Sequence, residues 1–275
     1  MDKNRVKGML WGLIVGDCIG SPIQFSGKDS HPWITDVVAC PVFNLPAGYW
    51  TDDSSMAMCI MDSFVRKGGY DLKDIGATFV KWLEEGYLSS KEGQAFDVGN
   101  ATYSSVLCVR SGSLTNGTEE SQGNGSIMRF APSYLIARKE GRPEIMHAIS
   151  DLTHASHAVR DVCDTLAAIL DDHLAGVRSQ RGPGAELTRA LVPNSGWAVA
   201  TLQAAEWAFN TTETFADGMI AAINLGGDSD SIGAVYGQIA GAYYGFDAIP
   251  ADWIAKIHKT AWVEQFVTDF VDRVC

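Results

Sequence analysis

Apolar residues recur at helical spacing along most of this chain, and strict two-residue alternation is scarce. The pattern predicts helices over Lys7–Ile19, Asp53–Lys67, Asp71–Glu85, Asn100–Ser111, Ile127–Lys139 and Arg142–Asp151. It continues with His157–Gly176, Gly196–Asn210, Thr212–Asn224, Ser231–Tyr244 and Pro250–Arg273. The best strand pattern, TDVVACPVF, contains a proline that weakens it. The longest stretches without helical periodicity are 20–49 and 111–126, and loops of that length in a compact domain are often functional. No hydrophilic linker, tandem repeat or low-complexity segment divides the chain, so residues 1–275 read as one all-α domain.

Two of the predicted helices share a pattern. Gly8, Gly12, Gly16 and Gly20 are spaced by four, as are Gly233, Gly237, Gly241 and Gly245. At 3.6 residues per turn each set forms a nearly continuous bare ridge on one helix face. Glycine costs roughly 1 kcal/mol relative to alanine at an interior helix position. Eight such positions imply that two backbones approach closely, so both helices are expected to be central.

Composition narrows the class. At 46% hydrophobic and 20% charged, the chain is that of a globular protein with ample material for a core. A net charge of −12 argues against nucleic acid as the main partner, which would require a basic patch. The only concentrated basic stretch lies near Arg178–Arg181. An acidic protein can still receive an anionic substrate where metal ions reverse the local field. Cys18, Cys40, Cys59, Cys108, Cys163 and Cys275 form no C-x-x-C pair and read as reduced thiols, mostly buried. The N-terminal apolar run GMLWGLIVG is broken by Asp17 and is short for a bilayer span, so it reads as a buried helix. A cytoplasmic protein without membrane contact is expected, and the sequons at Asn116, Asn124 and Asn210 then carry no glycan.

Chemistry concentrates in five places. GYWTDDSS places Thr51, Asp52 and Asp53 at a helix start, and GGDSDS places Asp228, Asp230 and Ser231 at another. Taken singly, each suits a helix cap with acidic residues in the first turn. The glycine pair Gly226–Gly227 adds a backbone-exposed approach that a cap does not require. An EF-hand loop is excluded, because Ile232 and Ile239 stand at its fifth and twelfth positions. Together the clusters offer four aspartates with hydroxyl neighbours and no lysine or arginine. If they meet, they would repel unless a cation neutralises them, and all-oxygen ligands select Mg²⁺, Mn²⁺ or Ca²⁺. A pair of ions sharing these carboxylates would suit bond cleavage. The remaining three are Asp97 in GQAFDVGNAT, the Gly-Asn-Gly turn of GNGSIMRFAP, and His154 in THASH. Each also has an ordinary reading as cap, turn or structural histidine. G-x-S-x-G, H-E-x-x-H, Walker and G-x-G-x-x-G motifs are absent.

In this order, GMLWGLIVGDCIGSPIQF, GYWTDDSSMAM, AFDVGNAT, GNGSIMRFAP, DLTH and LGGDSDSIGAVYGQIAGAYYG resemble the ADP-ribosylglycohydrolase family over nearly the whole chain. The resemblance implies a compact, roughly orthogonal all-α bundle with a binuclear Mg²⁺ or Mn²⁺ centre between helix termini. It implies metal ligation by Thr51, Asp52, Asp53, Asp228, Asp230 and Ser231. Gly99 and Asn100 would lie with Asp97 in the ADP-ribose cleft. Asn124, Gly125 and Ser126 would form the phosphate and ribose pocket, and His154 would be a further substrate contact. The implied reaction is hydrolysis at C1″ of ADP-ribose linked to a protein, most readily through arginine, with Asp53 or Asp97 as the catalytic carboxylate. ADP-ribose would be the product, and a monomer is expected. One departure is Gln24, where some branches carry a glutamate tied to catalysis; an amide cannot serve as a base. Two other readings are a catalytically weak, crystallin-like member and a two-metal phosphoesterase. The retained acidic clusters oppose the first. The second would need histidine-rich motifs, which the six histidines do not form.

Overall fold

A computed structural model describes residues 1–181, 184 and 186–275. Its helices are α1 (Lys3–Gly20), α2 (Asp52–Lys67), α3 (Leu72–Glu85), α4 (Asn100–Arg110), α5 (Phe130–Glu140) and α6 (Glu144–Asp151). They continue with α7 (His157–Leu174), α8 (Ala198–Asn210), α9 (Phe215–Ile223), α10 (Ser229–Tyr244), α11 (Ala251–Lys256) and α12 (Thr260–Val274). Among the described residues there is no strand, only two isolated bridges, Cys40 with Leu45 and Gly123 with Trp197. The expectation of an all-α bundle holds, whereas TDVVACPVF forms no strand.

The two glycine helices are its axis. α1 and α10 run antiparallel with their bare ridges in contact: Gly12 faces Gly237, Gly16 faces Gly233 and Gly20 faces Ser229. At each crossing the partner's backbone carbonyl occupies the space a Cβ would need. α10 also packs on α7, α8 and α9, while α1 packs on α2 and α12. Both helices are therefore buried around almost their whole circumference, as helices apolar on all sides must be. By length and composition Lys3–Ile23 is apolar enough to cross a membrane, so the expectation that it is too short is corrected. Yet 94% of its apolar window is buried inside the protein.

Two of the differences from the sequence pattern come from contacts across the chain. The predicted helix 250–273 breaks into α11 and α12. His258 donates its N–H to the Gly48 carbonyl, and Lys259 takes a left-handed backbone at φ 52°. α5 begins at Phe130 rather than Ile127 because Gln238, buried in α10, claims the preceding turn. Its Nε2 donates to the carbonyls of Ile127 and Met128, and its Oε1 accepts the Ala131 N–H. One polar side chain of the central helix thus fixes the loop that carries Asn124 and Gly125.

Close backbone contact makes the axis intolerant of added volume. Gly237→Ala should cost about 3 kcal/mol or more, because two backbones must separate. Gly69→Ala, whose methyl would meet only the Glu140 carboxylate at 3.7 Å, should change stability little. Urea denaturation of the two variants compares them, and equal midpoints would contradict the packing argument.

Candidate active site

The antiparallel pairing brings the C-terminal end of α1 beside the N-terminal end of α10. α2 begins against the same point, and the two acidic clusters meet. Asp52 and Asp53 from α2 and Asp228, Asp230 and Ser231 from α10 line one cleft of 380 Å³. Asp97, Gly99, Asn100, Asn124, Gly125 and His154 line it as well. Asp97 is held there by a left-handed backbone, φ 59°, which aspartate tolerates. Gly99 and Asn100 are exposed at the mouth, whereas Asn124 and Gly125 are buried.

Two expected residues sit outside the lining. The Ser126 hydroxyl points into the core, donating to Ser150 Oγ at 2.7 Å with Cys163 Sγ at 3.6 Å. Its hydroxyl thus supports the loop and is turned away from the cleft lining. Thr51 is 1% exposed and lies behind the acidic wall. Its hydroxyl donates to Asp17 Oδ1 at 2.8 Å and lies 3.4 Å from Asp53 Oδ2.

The simple capping interpretation fails at both acidic starts. Neither Thr51 nor Asp228 accepts a backbone N–H of its own helix through its side chain. The cap of α2 comes from α1. Asp17 accepts the N–H groups of Thr51 and Ser54 at 3.0 Å each and the Ser54 hydroxyl at 2.6 Å, besides Thr51 Oγ1. Sequence reasoning treated Asp17 only as an interruption of an apolar run; a carboxylate on a bare glycine helix was the available signal. Asp228 instead accepts from the Asn124 amide at 2.6 Å, which ties the Gly-Asn-Gly turn to α10.

A second residue was not singled out by sequence. Arg129 is 1% exposed and is the one buried arginine or lysine among the described residues. It donates to Gly125 O and to Thr153 Oγ1 and lies 5.0 Å from the centre of the Phe79 ring. Thr153 Oγ1 in turn pairs with His154 Nδ1 at 2.8 Å. Burial, then the Arg129 charge, push the His154 pKa down to about 3, so its ring is neutral near pH 7.

Arg129 does not balance the acid. Burial first, then neighbouring carboxylates, push Asp52, Asp53 and Asp230 well above the ordinary carboxylate range. Burial raises Asp228 too, with Asn124, Asp230 and Gln24 pulling it back. Asp97 rises to about 6, again through burial, offset in part by Gln24 and Asp230. Asp53 Oδ1, Asp97 Oδ2, Asp230 Oδ2 and Gln24 Oε1 are buried without a hydrogen-bond partner. Orphaned carboxylate oxygens facing one cleft, with serine and threonine hydroxyls beside them, fit a hard divalent cation. Among the described residues no three His, Cys, Asp or Glu side chains form a ready-made cage for one ion.

The geometry defines an all-helical hydrolase-type cleft with carboxylates on three sides. A family model described as ADP-ribosylglycohydrolase matches residues 1–275, and the chain belongs to that family. It is 33% identical to the ADP-ribosylarginine hydrolase Tri1 of Pseudomonas putida (strain GB-1), covering 98% of this chain and 78% of that protein. It is 29% identical to the ADP-ribosyl-[dinitrogen reductase] glycohydrolase of Rhodospirillum rubrum, covering 92% of this chain and 90% of that protein. A solved structure titled ADP-ribosylglycohydrolase-related protein complex superposes with a TM-score of 0.84 at 30% identity, over 99% of each chain.

Asp17 and Asp230 should respond oppositely to loss of charge. Asp17→Asn turns an amide NH₂ toward donors and should destabilise the protein by about 2–4 kcal/mol. Asp230→Asn relieves repulsion and should leave stability in chelator equal or higher. Chemical denaturation of both variants in chelator checks the signs.

Proposed function

We propose that this protein is a divalent-cation-dependent hydrolase that removes ADP-ribose from modified arginine side chains of proteins. The observation that carries the reading is the meeting of two acidic helix starts in one cleft, with unpartnered carboxylate oxygens and a glycine-rich turn opposite. The relatives named above act on ADP-ribosylarginine and on an ADP-ribosylated reductase, and their shared chemistry supports the same substrate class here.

Thr51, Asp52 and Asp53 on one side and Asp228, Asp230 and Ser231 on the other would hold two Mg²⁺ or Mn²⁺ ions. Bound there, the cations supply charge neutralisation and polarise ribose hydroxyls and water. The chain's own residues do the rest. Asn124 and Gly125 receive the diphosphate and ribose side, and neutral His154 closes the wall behind them. Asp97, near neutrality in its pKa, accepts a proton from the attacking water at Oδ2. The water oxygen bonds to C1″ as the bond from C1″ to the guanidine nitrogen breaks, and the departing guanidine takes up the proton that Asp97 accepted. Asp53 carries the alternative assignment of this base. Gln24 cannot take it, because its side chain is an amide.

The test is release of ADP-ribose from arginine-modified and serine-modified protein side by side, with Mg²⁺, with Mn²⁺ and with chelator. Arginine release that needs the cation is expected. Asp230→Ala should lose both turnover and the rise in Tm that cation produces in the wild type. Wild-type turnover in that variant would falsify the assignment.

Linkage adds a pH dependence. The cluster's carboxylates have raised pKa values, so the folded chain holds their protons more tightly than the unfolded chain. Their charge therefore opposes folding increasingly as pH rises from the ordinary carboxylate range through about 6, the value of Asp97. Cation binding removes that opposition. The Tm gain from Mn²⁺ should be larger at about pH 8 than at about pH 5, measured by differential scanning fluorimetry; a gain that shrinks with pH would refute it.

A further inference from the structure

Large apolar side chains on the surface are not spread evenly. Of eleven that are exposed among the described residues, five stand on two short segments: Phe25 and Trp33 on one, Leu191, Trp197 and Val199 on the other. These are among the most exposed of all, at 68%, 58%, 71%, 61% and 51%. The segments are clamped together. Lys28 Nζ donates to the carbonyls of Arg189 and Val192 at 3.1 and 2.7 Å, and the Arg189 guanidinium lies 5.7 Å from the centre of the Trp33 ring.

Both segments are also tied to the acidic wall of the cleft. Phe25 donates its N–H to Gly227 O at 2.6 Å, and Asp228 donates its N–H to Asn194 O at 2.9 Å. Gly196, next to Trp197, accepts the Asn124 N–H at 2.9 Å and itself lines the cleft. The apolar side chains therefore form a border along one side of the mouth. Phe25 stands where the border meets the cleft, which it also lines, and its backbone is left-handed, φ 65°, a conformation a bulky residue adopts only when its surroundings impose it.

Lys28 is spent on backbone carbonyls, and Arg189 is paired with Asp29 at 2.8 Å. The border thus offers apolar surface with its nearby charges already satisfied, in a protein of net charge −12. Solvent gains nothing from such a patch, and clustered exposed aromatics mark interaction sites.

We propose that this border is the docking surface for the protein that carries the modified arginine. The inference rests on the proposed function. A macromolecule whose side chain enters the cleft must lay its own surface across the mouth. The border then meets apolar residues flanking that arginine. Trp197, Leu191 and Trp33 lie outside the cleft lining, so they would touch the carrier protein and not the ADP-ribose.

The experiment compares two substrates in the full-length enzyme with cation: an arginine-ADP-ribosylated protein and free ADP-ribosylarginine. Trp197→Ser combined with Leu191→Ser should lower kcat/KM on the modified protein about tenfold or more. The same variant should hydrolyse free ADP-ribosylarginine within about twofold of wild type. Trp33→Ser serves as a second, independent variant, and unchanged Tm shows that each is folded. Equal loss on both substrates would overturn the proposal, because the border would then contact ADP-ribose. So would no loss on either. Wild-type inactivity on both substrates would remove the proposed function itself, and this inference with it.

Discussion

Backbone contact between α1 and α10 is the constraint on which the rest depends. Two helices that meet glycine to glycine have little freedom to slide, because a shift off register drives a side chain into a carbonyl. The register therefore sets where their ends stand. Asp17, near the C-terminal end of α1, reaches across to cap α2, and Asp230 stands beside that end in the first turn of α10. The acidic start of α2 is placed by a carboxylate of α1, and that carboxylate is placed by the ridge. A contact made of the smallest residues thus fixes the spacing of the most highly charged ones.

That arrangement runs against folding. Burial and mutual repulsion push the cleft's carboxylates up, and one buried arginine answers them. Hydrogen bonds satisfy Asp17 and one oxygen of Asp228, yet single oxygens of Asp53, Asp97 and Asp230 stay unpartnered. An ordinary core would have protonated or replaced such groups. Unpartnered oxygens of three aspartates gathered in one cleft are what separate a binding site from the scattered unpaired atoms elsewhere, such as Ser63 Oγ and Tyr244 OH. On the proposed function, a cation held in the cleft would make the local field favourable to an anionic substrate.

Much of this was legible in the sequence because its signals were local. Helical periodicity, the four-residue glycine spacing and the two acidic helix starts each report on a few neighbouring residues. What escaped depended on contacts across the chain. Asp17 caps a helix that begins 35 positions later in sequence number, an arrangement no local pattern encodes. Arg129 lay inside a quoted motif but gained meaning only once Gly125, Thr153 and Phe79 surrounded it. The inward turn of the Ser126 hydroxyl escaped for the converse reason, since motif membership does not say which way a side chain turns. The break at Lys259 belongs with these, because it answers a hydrogen bond to Gly48.

Gln24 shows how a neutral residue shapes a charged site. It lies in the cleft lining at 5% exposure, beside Asp97 and Asp228, and draws both pKa values down against their burial. A carboxylate in its place would add a seventh acid to Asp17, Asp52, Asp53, Asp97, Asp228 and Asp230. It would raise Asp97 beyond about 6 by repulsion, where the present amide holds it back. A base is most effective when its pKa lies near the working pH and its charged form is populated. With an amide at position 24, Asp97 stays ionised near neutrality and keeps one oxygen free. On the proposed mechanism, the departure from the glutamate-bearing branches moves proton acceptance onto a carboxylate already in the cleft.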